Sequence, residues 1–113
     1  MDCIFCRIAA GEIPAQIVYQ NEDVVAFRDV NPQSPVHVLV IPREHVQGPL
    51  ALGDGHAALA GKLIAAAAEV ARQEGIAESG YRLVMNEGRQ AQQSVFHVHL
   101  HVLGGRPMHW PPG

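Results

Sequence analysis

The chain has 113 residues, enough for a single domain that buries on the order of 65% of its unfolded surface. Eight basic against eleven acidic side chains give a net charge of -3, which argues against a nucleic-acid partner and leaves a small charged nucleotide open. Neither a 20-residue apolar span nor a basic-then-apolar leader at Met1-Asp2-Cys3 is visible, so the expectation is a cytoplasmic protein with no membrane contact.

In chain order, Asp2 can cap a short helix over residues 3–10, with Gly11 as its left-handed stop and Pro14 just beyond. Cys3 and Cys6 make a Cys-x-x-Cys there. Three readings are open for it: a redox pair, which normally follows a strand in a βαβ setting; half of a tetrahedral zinc site completed by distant histidines; or two plain thiols. Residues 17–19 and 24–27 read as strands of a hairpin around the polar Gln20-Asn21-Glu22-Asp23. Asp29 closes that unit, and Asn31-Pro32-Gln33-Ser34-Pro35 is a turn whose prolines disfavour helix.

Residues 36–41, Val-His-Val-Leu-Val-Ile between Pro35 and Pro42, predict a central strand buried on both faces. By parity His37 shares a face with Leu39 and Ile41. From about Gly55 to Gly75 the period changes to that of a helix. Leu59, Leu63, Ala66, Ala67 and Val70 form its apolar stripe, Lys62, Glu69 and Gln73 its polar side, and Ile64 widens the buried flank. Residues 81–86 predict a strand, 87–93 a polar loop, and 94–103 a final strand ended by Gly104-Gly105. Residues 106–113, with three prolines, predict an irregular tail whose large aromatic, Trp110, suggests docking onto something. The pattern is α+β, with helices gathered on one side of a mostly antiparallel sheet and the other face free for a ligand.

The last strand is the most informative. In His97-Val98-His99-Leu100-His101-Val102-Leu103 three imidazoles fall on one face, while Phe96, Val98, Leu100 and Val102 fall on the other. Same-face neighbours on a strand are roughly 6–7 Å apart, so the rings can surround a ligand of about phosphate size. Taken alone, the pattern fits either reaction chemistry or a metal-binding face.

This segment matches the signature of the histidine-triad (HIT) superfamily. The flanking Asn86-Glu87-Gly88, Ser94-Val95-Phe96 and Gly104-Gly105-Arg106 resemble its nucleotide-binding branch. So do Ile13-Pro14, Phe27-Arg28-Asp29-Val30, Pro32-Gln33-Ser34-Pro35-Val36-His37 and the ending Met108-His109-Trp110-Pro111-Pro112-Gly113. The likeness covers residues 1–113 as one domain, the long helix being its least specific part.

The resemblance implies a five-stranded, mainly antiparallel sheet with one long and one short helix, and a homodimer that joins two such sheets into ten strands. It implies hydrolysis of purine nucleoside phosphoramidates with no cofactor required for catalysis. His99 would be the nucleophile, flanked by His97 and His101 and supported by His37. Asp29 and Val30 would hold ribose and base, Asn86 and Ser94 the phosphate, and His99, His101 and Trp110 would complete the nucleotide contacts. Relatives that open with a similar Cys-Ile-Phe-Cys imply a structural zinc on Cys3, Cys6, His45 and His97. Nucleotide binding with incidental hydrolysis, or hydrolysis of dinucleoside polyphosphates, are the competing functions. A histidine with a reference pKa near 6.5 is roughly three quarters neutral at pH 7, so an imidazole can attack phosphorus without a metal. One departure stands out: Ala91-Gln92 precedes Gln93-Ser94, where relatives often carry two glycines that permit positive φ.

Overall fold

A computed structural model describes residues 3–53 and 55–113; Asp2, the expected cap of the first helix, lies outside the described residues. Two helices and five strands follow in the order α1 (Ile4–Ala9), β1 (Ile17–Gln20), β2 (Val24–Arg28), β3 (Val36–Pro42), α2 (Ala57–Gln73), β4 (Tyr81–Val84) and β5 (Leu100–Gly104). A short 3-10 turn, Pro49–Leu52, precedes α2. The strands form one sheet in the order β1-β2-β3-β5-β4, with every neighbouring pair antiparallel. Among the described residues, no helix is long and apolar enough to cross a membrane.

The two faces of the sheet bury different helices. Leu63, Ala66, Ala67, Val70 and Ala71 of α2 pack on Val24, Ala26, Val38, Val40, Leu100 and Val102. Phe5 and Ile8 of α1 pack on the alternate residues Val25, Phe27, Leu39 and Ile41. The expected grouping of both helices on one face is therefore corrected. Phe5 and Ile8, one turn apart on α1, make an apolar patch that needs its own cover. Six residues shield only part of that face, and the remainder is open beside His99 and His101.

Ile64 also departs from expectation. It remains 55% exposed, because it is rotated about 100° from Leu63 around the helix and the small side chains at 66, 67 and 71 narrow the arc that reaches the sheet.

The histidine strand is shorter than its alternation predicts: β5 begins at Leu100 rather than 94. Pro42 at the end of β3 offers no N–H to extend the ladder, and the Val98 N–H donates instead to Val46 O at 2.6 Å. The alternation of side chains nevertheless continues through this irregular stretch. Val98, Leu100 and Val102 enter the α2 core, while Phe96, expected beside them, is 55% exposed. Leu63→Ala is expected to cost about 2–5 kcal/mol in urea unfolding, against less than about 1 kcal/mol for Ile64→Ala; equal losses would contradict this packing.

Candidate active site

The open part of the α1 face is a cavity of about 500 Å3, within the usual range for small-molecule sites. Ile4, Phe5 and Ile8 from α1 with Phe27 and Leu39 from the sheet make its apolar wall. Ser94, His99 and His101 make its polar end, and Asp29 and Val30 after β2 line it as well. The chain leading out of β2 is anchored, since Arg28 makes a two-pronged pair with Glu74 at 2.6 and 3.1 Å.

Hydrogen-bond partners assign the protons on the imidazoles. His99 Nδ1 lies 2.7 Å from His97 O. A carbonyl only accepts, so Nδ1 carries the hydrogen and the neutral ring keeps its lone pair on Nε2. On β3, the Gln33 N–H donates to His37 Nδ1 at 3.0 Å. The neutral His37 therefore holds its proton on Nε2, which is 2.9 Å from His101 Nδ1. His101 Nδ1 must accept, which leaves its hydrogen on Nε2. That buried nitrogen has no partner among the described residues, on a side chain that lines the cavity. The rings of His99 and His101 are 5.1 Å apart. The site thus offers a nitrogen lone pair and, on the neighbouring ring, an N–H donor, the two groups needed to attack a phosphorus centre and hold its oxygens.

Electrostatics favour these neutral forms. Burial first, then the charges of His99 and His37, pull His101 down to about 4, against the opposing effect of Asp29. Burial likewise lowers His37, again opposed by Asp29, whose Oδ2 is 3.4 Å from His37 Nε2. The other Asp29 oxygen accepts the Asn31 N–H at 2.9 Å.

His97 behaves differently from the other two. Its ring is fully buried and turned away from the cavity, with Nδ1 3.4 Å from Cys3 Sγ and 3.5 Å from Cys6 Sγ. Cys6 Sγ is also 3.3 Å from His45 Nδ1, and the four donor atoms all lie within 4.8 Å of one another. A tetrahedral zinc with bonds of about 2.0–2.3 Å sets its donors roughly 3.3–3.8 Å apart, so the cluster has the right size. Its chemistry fits too: His97 Nε2 donates to Pro42 O at 2.9 Å, which aims the Nδ1 lone pair at the sulfurs. Burial and the adjacent Cys3 push the Cys6 thiol up, a cost that a dication reverses.

The HIT domain family profile matches residues 10–108. The chain belongs to the HIT domain family. It is 47% identical to a 14 kDa zinc-binding protein of Brassica juncea over 99% of this chain and 100% of that one. It is 48% identical to a purine nucleoside phosphoramidase of Escherichia coli K12 over 95% of this chain and 90% of the relative. Among solved structures, a HIT family hydrolase from Legionella pneumophila superposes with a TM-score of 0.96 at 46% identity, covering 99% of this chain and 100% of that one.

In this HIT-family chain the expected site residues separate into groups. Asp29, Val30, Ser94, His99 and His101 line one cavity, whereas His37 stands behind His101 and neither Asn86 nor Trp110 reaches that wall. Trp110 instead lies over Arg82 of β4, 5.9 Å from guanidinium carbon to ring centre, and is 82% exposed. The expectation that all three rings surround one ligand is corrected for His97: its ring meets the cysteines and its carbonyl meets His99. The three histidines are therefore not one metal-binding face.

Gln33, Phe5 and Gln93 carry contacts that the sequence does not assign to them. Phe5 meets His97 and His99 edge-on, with ring centres 5.9 and 5.1 Å apart. Gln93 ties down the loop before Ser94, accepting from the Gly88 N–H at 2.9 Å and donating to Gln47 O at 3.0 Å. A polar glutamine in a loop carries no pattern by which to single it out. Gln92 is the only non-glycine with positive φ (61°) among the described residues, so this chain bends the loop as glycine would, at the cost of crowding between its Cβ and the backbone.

Between the unfolded value near 6.5 and the folded value of about 4, native His101 binds fewer protons than the unfolded chain. Its contribution to stability is accordingly lost as the pH falls through that window. The urea midpoint is expected to drop from pH 7 to pH 4.5, and His101→Gln to reduce that drop; an identical pH dependence in the variant would contradict the assignment.

Proposed function

We propose that this chain hydrolyses purine nucleoside phosphoramidates through a covalent nucleotidyl-histidine on His99. The observation that carries this reading is the pair of opposed tautomers: a lone pair on His99 Nε2, enforced by His97 O, beside an unpartnered N–H on His101 Nε2. His99 Nε2 attacks the α-phosphorus in line, the phosphorus–nitrogen bond breaks, and the departing amine takes a proton from solvent, which the attacking water returns in the second step. Water then displaces the imidazole, so two inversions give net retention at phosphorus. His101 donates to the phosphoryl oxygens in both steps. His37 supports it from behind, and the carbonyl of His97 holds the nucleophile.

The apolar wall suits a purine ring. Asp29 is an acceptor-only carboxylate suited to the ribose hydroxyls, with Val30 beside the base and Ser94 and Asn86 assigned to the phosphate. Among the described residues, β4 is an edge strand whose backbone lacks a strand partner on one side. Pairing of two such edges in a homodimer would make the ten-stranded sheet. Trp110 lies on that edge, so its nucleotide contact would be made in the second subunit's cavity. Zinc is assigned to Cys3, Cys6, His45 and His97, where it would clip α1 to the sheet and supply no step of the reaction. The phosphoramidase name of the Escherichia coli relative and the zinc-binding name of the Brassica juncea relative support these two parts of the reading.

Rapid quenching of the wild type with adenosine phosphoramidate is expected to show an AMP adduct on His99 by mass spectrometry. His99→Gly should lower kcat/KM by at least about 10³-fold, and His101→Ala by about 10²- to 10³-fold. Brisk turnover with no adduct would defeat the covalent route. For the metal, wild type purified without chelator is expected to hold about one zinc per chain and the Cys3→Ser, Cys6→Ser double variant none; metal-free wild type would remove the clip.

A further inference from the structure

The relay that keeps a proton on His101 Nε2 starts at a single backbone group, the Gln33 N–H, in a turn that belongs to no helix or strand. Two prolines, Pro32 and Pro35, take N–H donors away from that turn. Within the turn the Ser34 hydroxyl donates to Val36 O and the Gln33 side-chain amide to Asn31 O, and it is also held from outside. β3 and β5 pair with Val36 opposite Gly104, so the chain leaving β5 emerges beside the turn entering β3. Gly105 sits at φ +91° with its backbone so close that an added Cβ would fall 2.9 Å from Pro35 Cβ. The next residue, Arg106, directs Nε and Nη2 to Gln33 O at 3.3 and 3.1 Å, while Nη1 donates to Pro107 O at 2.9 Å.

We propose that Arg106, seated by Gly105, is a positioning residue: by clasping Gln33 it sets the tautomers of His37 and His101 from outside the cavity. The chain of bonds is continuous, from guanidinium to Gln33 O, from Gln33 N–H to His37 Nδ1, and from His37 Nε2–H to His101 Nδ1. Asp29 makes the clasp necessary. Its Oδ2, 3.4 Å from His37 Nε2, competes with His101 for the same proton. Once Gln33 is free to move, His37 can shift toward that carboxylate, and nothing then holds the His101 proton on Nε2. Arg106 touches no reacting atom, so its loss changes the fraction of molecules with the productive tautomer and leaves the base pocket intact.

The effect on turnover rests on the proposed role of His101 as phosphoryl donor; the effect on tautomers does not. Long-range nitrogen-15 NMR of the histidine rings reads the tautomers directly in wild type, Arg106→Ala and Arg106→Lys. Wild type is expected to show Nε2–H forms at both His37 and His101, and Arg106→Ala a mixture at His101. With about one molecule in ten keeping the productive form, kcat for adenosine phosphoramidate falls about tenfold. Affinity for adenine, which lacks both the phosphoryl group and the ribose assigned to Asp29, should stay within about twofold, and Arg106→Lys, retaining one donor for Gln33 O, should recover most of kcat. Arg106 is exposed, so its loss leaves the core in place. Unchanged ring signals in Arg106→Ala would overturn the proposal, whether kcat falls or not. A tautomer shift in a chain whose wild type shows no turnover would uphold the clasp and sink the hydrolase reading instead.

Discussion

One residue, His97, organises both centres of this molecule, the first through its backbone carbonyl. That oxygen accepts from His99 Nδ1 and so leaves the other nitrogen of that ring bare in the cavity. The ring of the same residue donates to Pro42 O and turns its second nitrogen to two cysteine sulfurs. A buried neutral imidazole has one donor and one acceptor, and leaving either unmatched costs on the order of 1–3 kcal/mol. Each ring is accordingly held in one orientation by partners that can play only one part. The proposed chemistry and the proposed zinc clip are two outcomes of that satisfaction rule.

The antiparallel register carries this order across the sheet. Leu39 lies opposite His101 and His37 opposite Leu103, so His37 and His101 are offset by two residues on one face, within reach of each other. The opposite face of the same strands is filled by Val38, Val40, Leu100 and Val102 under α2. That close-packed layer leaves β3 and β5 little freedom to slip, because a one-residue shift would exchange valines for histidines. The apolar half of each strand thus serves the site that it never touches.

α1 has two duties on the remaining face. Its Phe5 and Ile8 cover part of the sheet, and with Ile4 they become the wall of the cavity. Its Cys3 and Cys6 stand beside His97 and His45, so the same short helix joins the cavity wall to the cysteine–histidine cluster. Six residues are too few to make a stable helix alone. Apolar packing and the sulfur contacts together account for its place.

Much was legible in the residues themselves. The period of two in the histidine segment put Val98, Leu100 and Val102 in the core, parity placed His37 with Leu39 and Ile41, and the stripe of α2 from Leu63 to Val70 buried as a period of 3.6 requires. These are local rules, carried by side-chain direction along one strand or helix. Tertiary structure alone decided that α1 covers the face opposite α2, that the ring of His97 leaves its neighbours for the cysteines, and that Trp110 rests on β4 instead of in the cavity. It alone joined Arg106 to Gln33 and Gln33 to His37. Hydrogen bonds and packing between segments tens of residues apart have no period, so only the folded chain reveals which donor meets which acceptor.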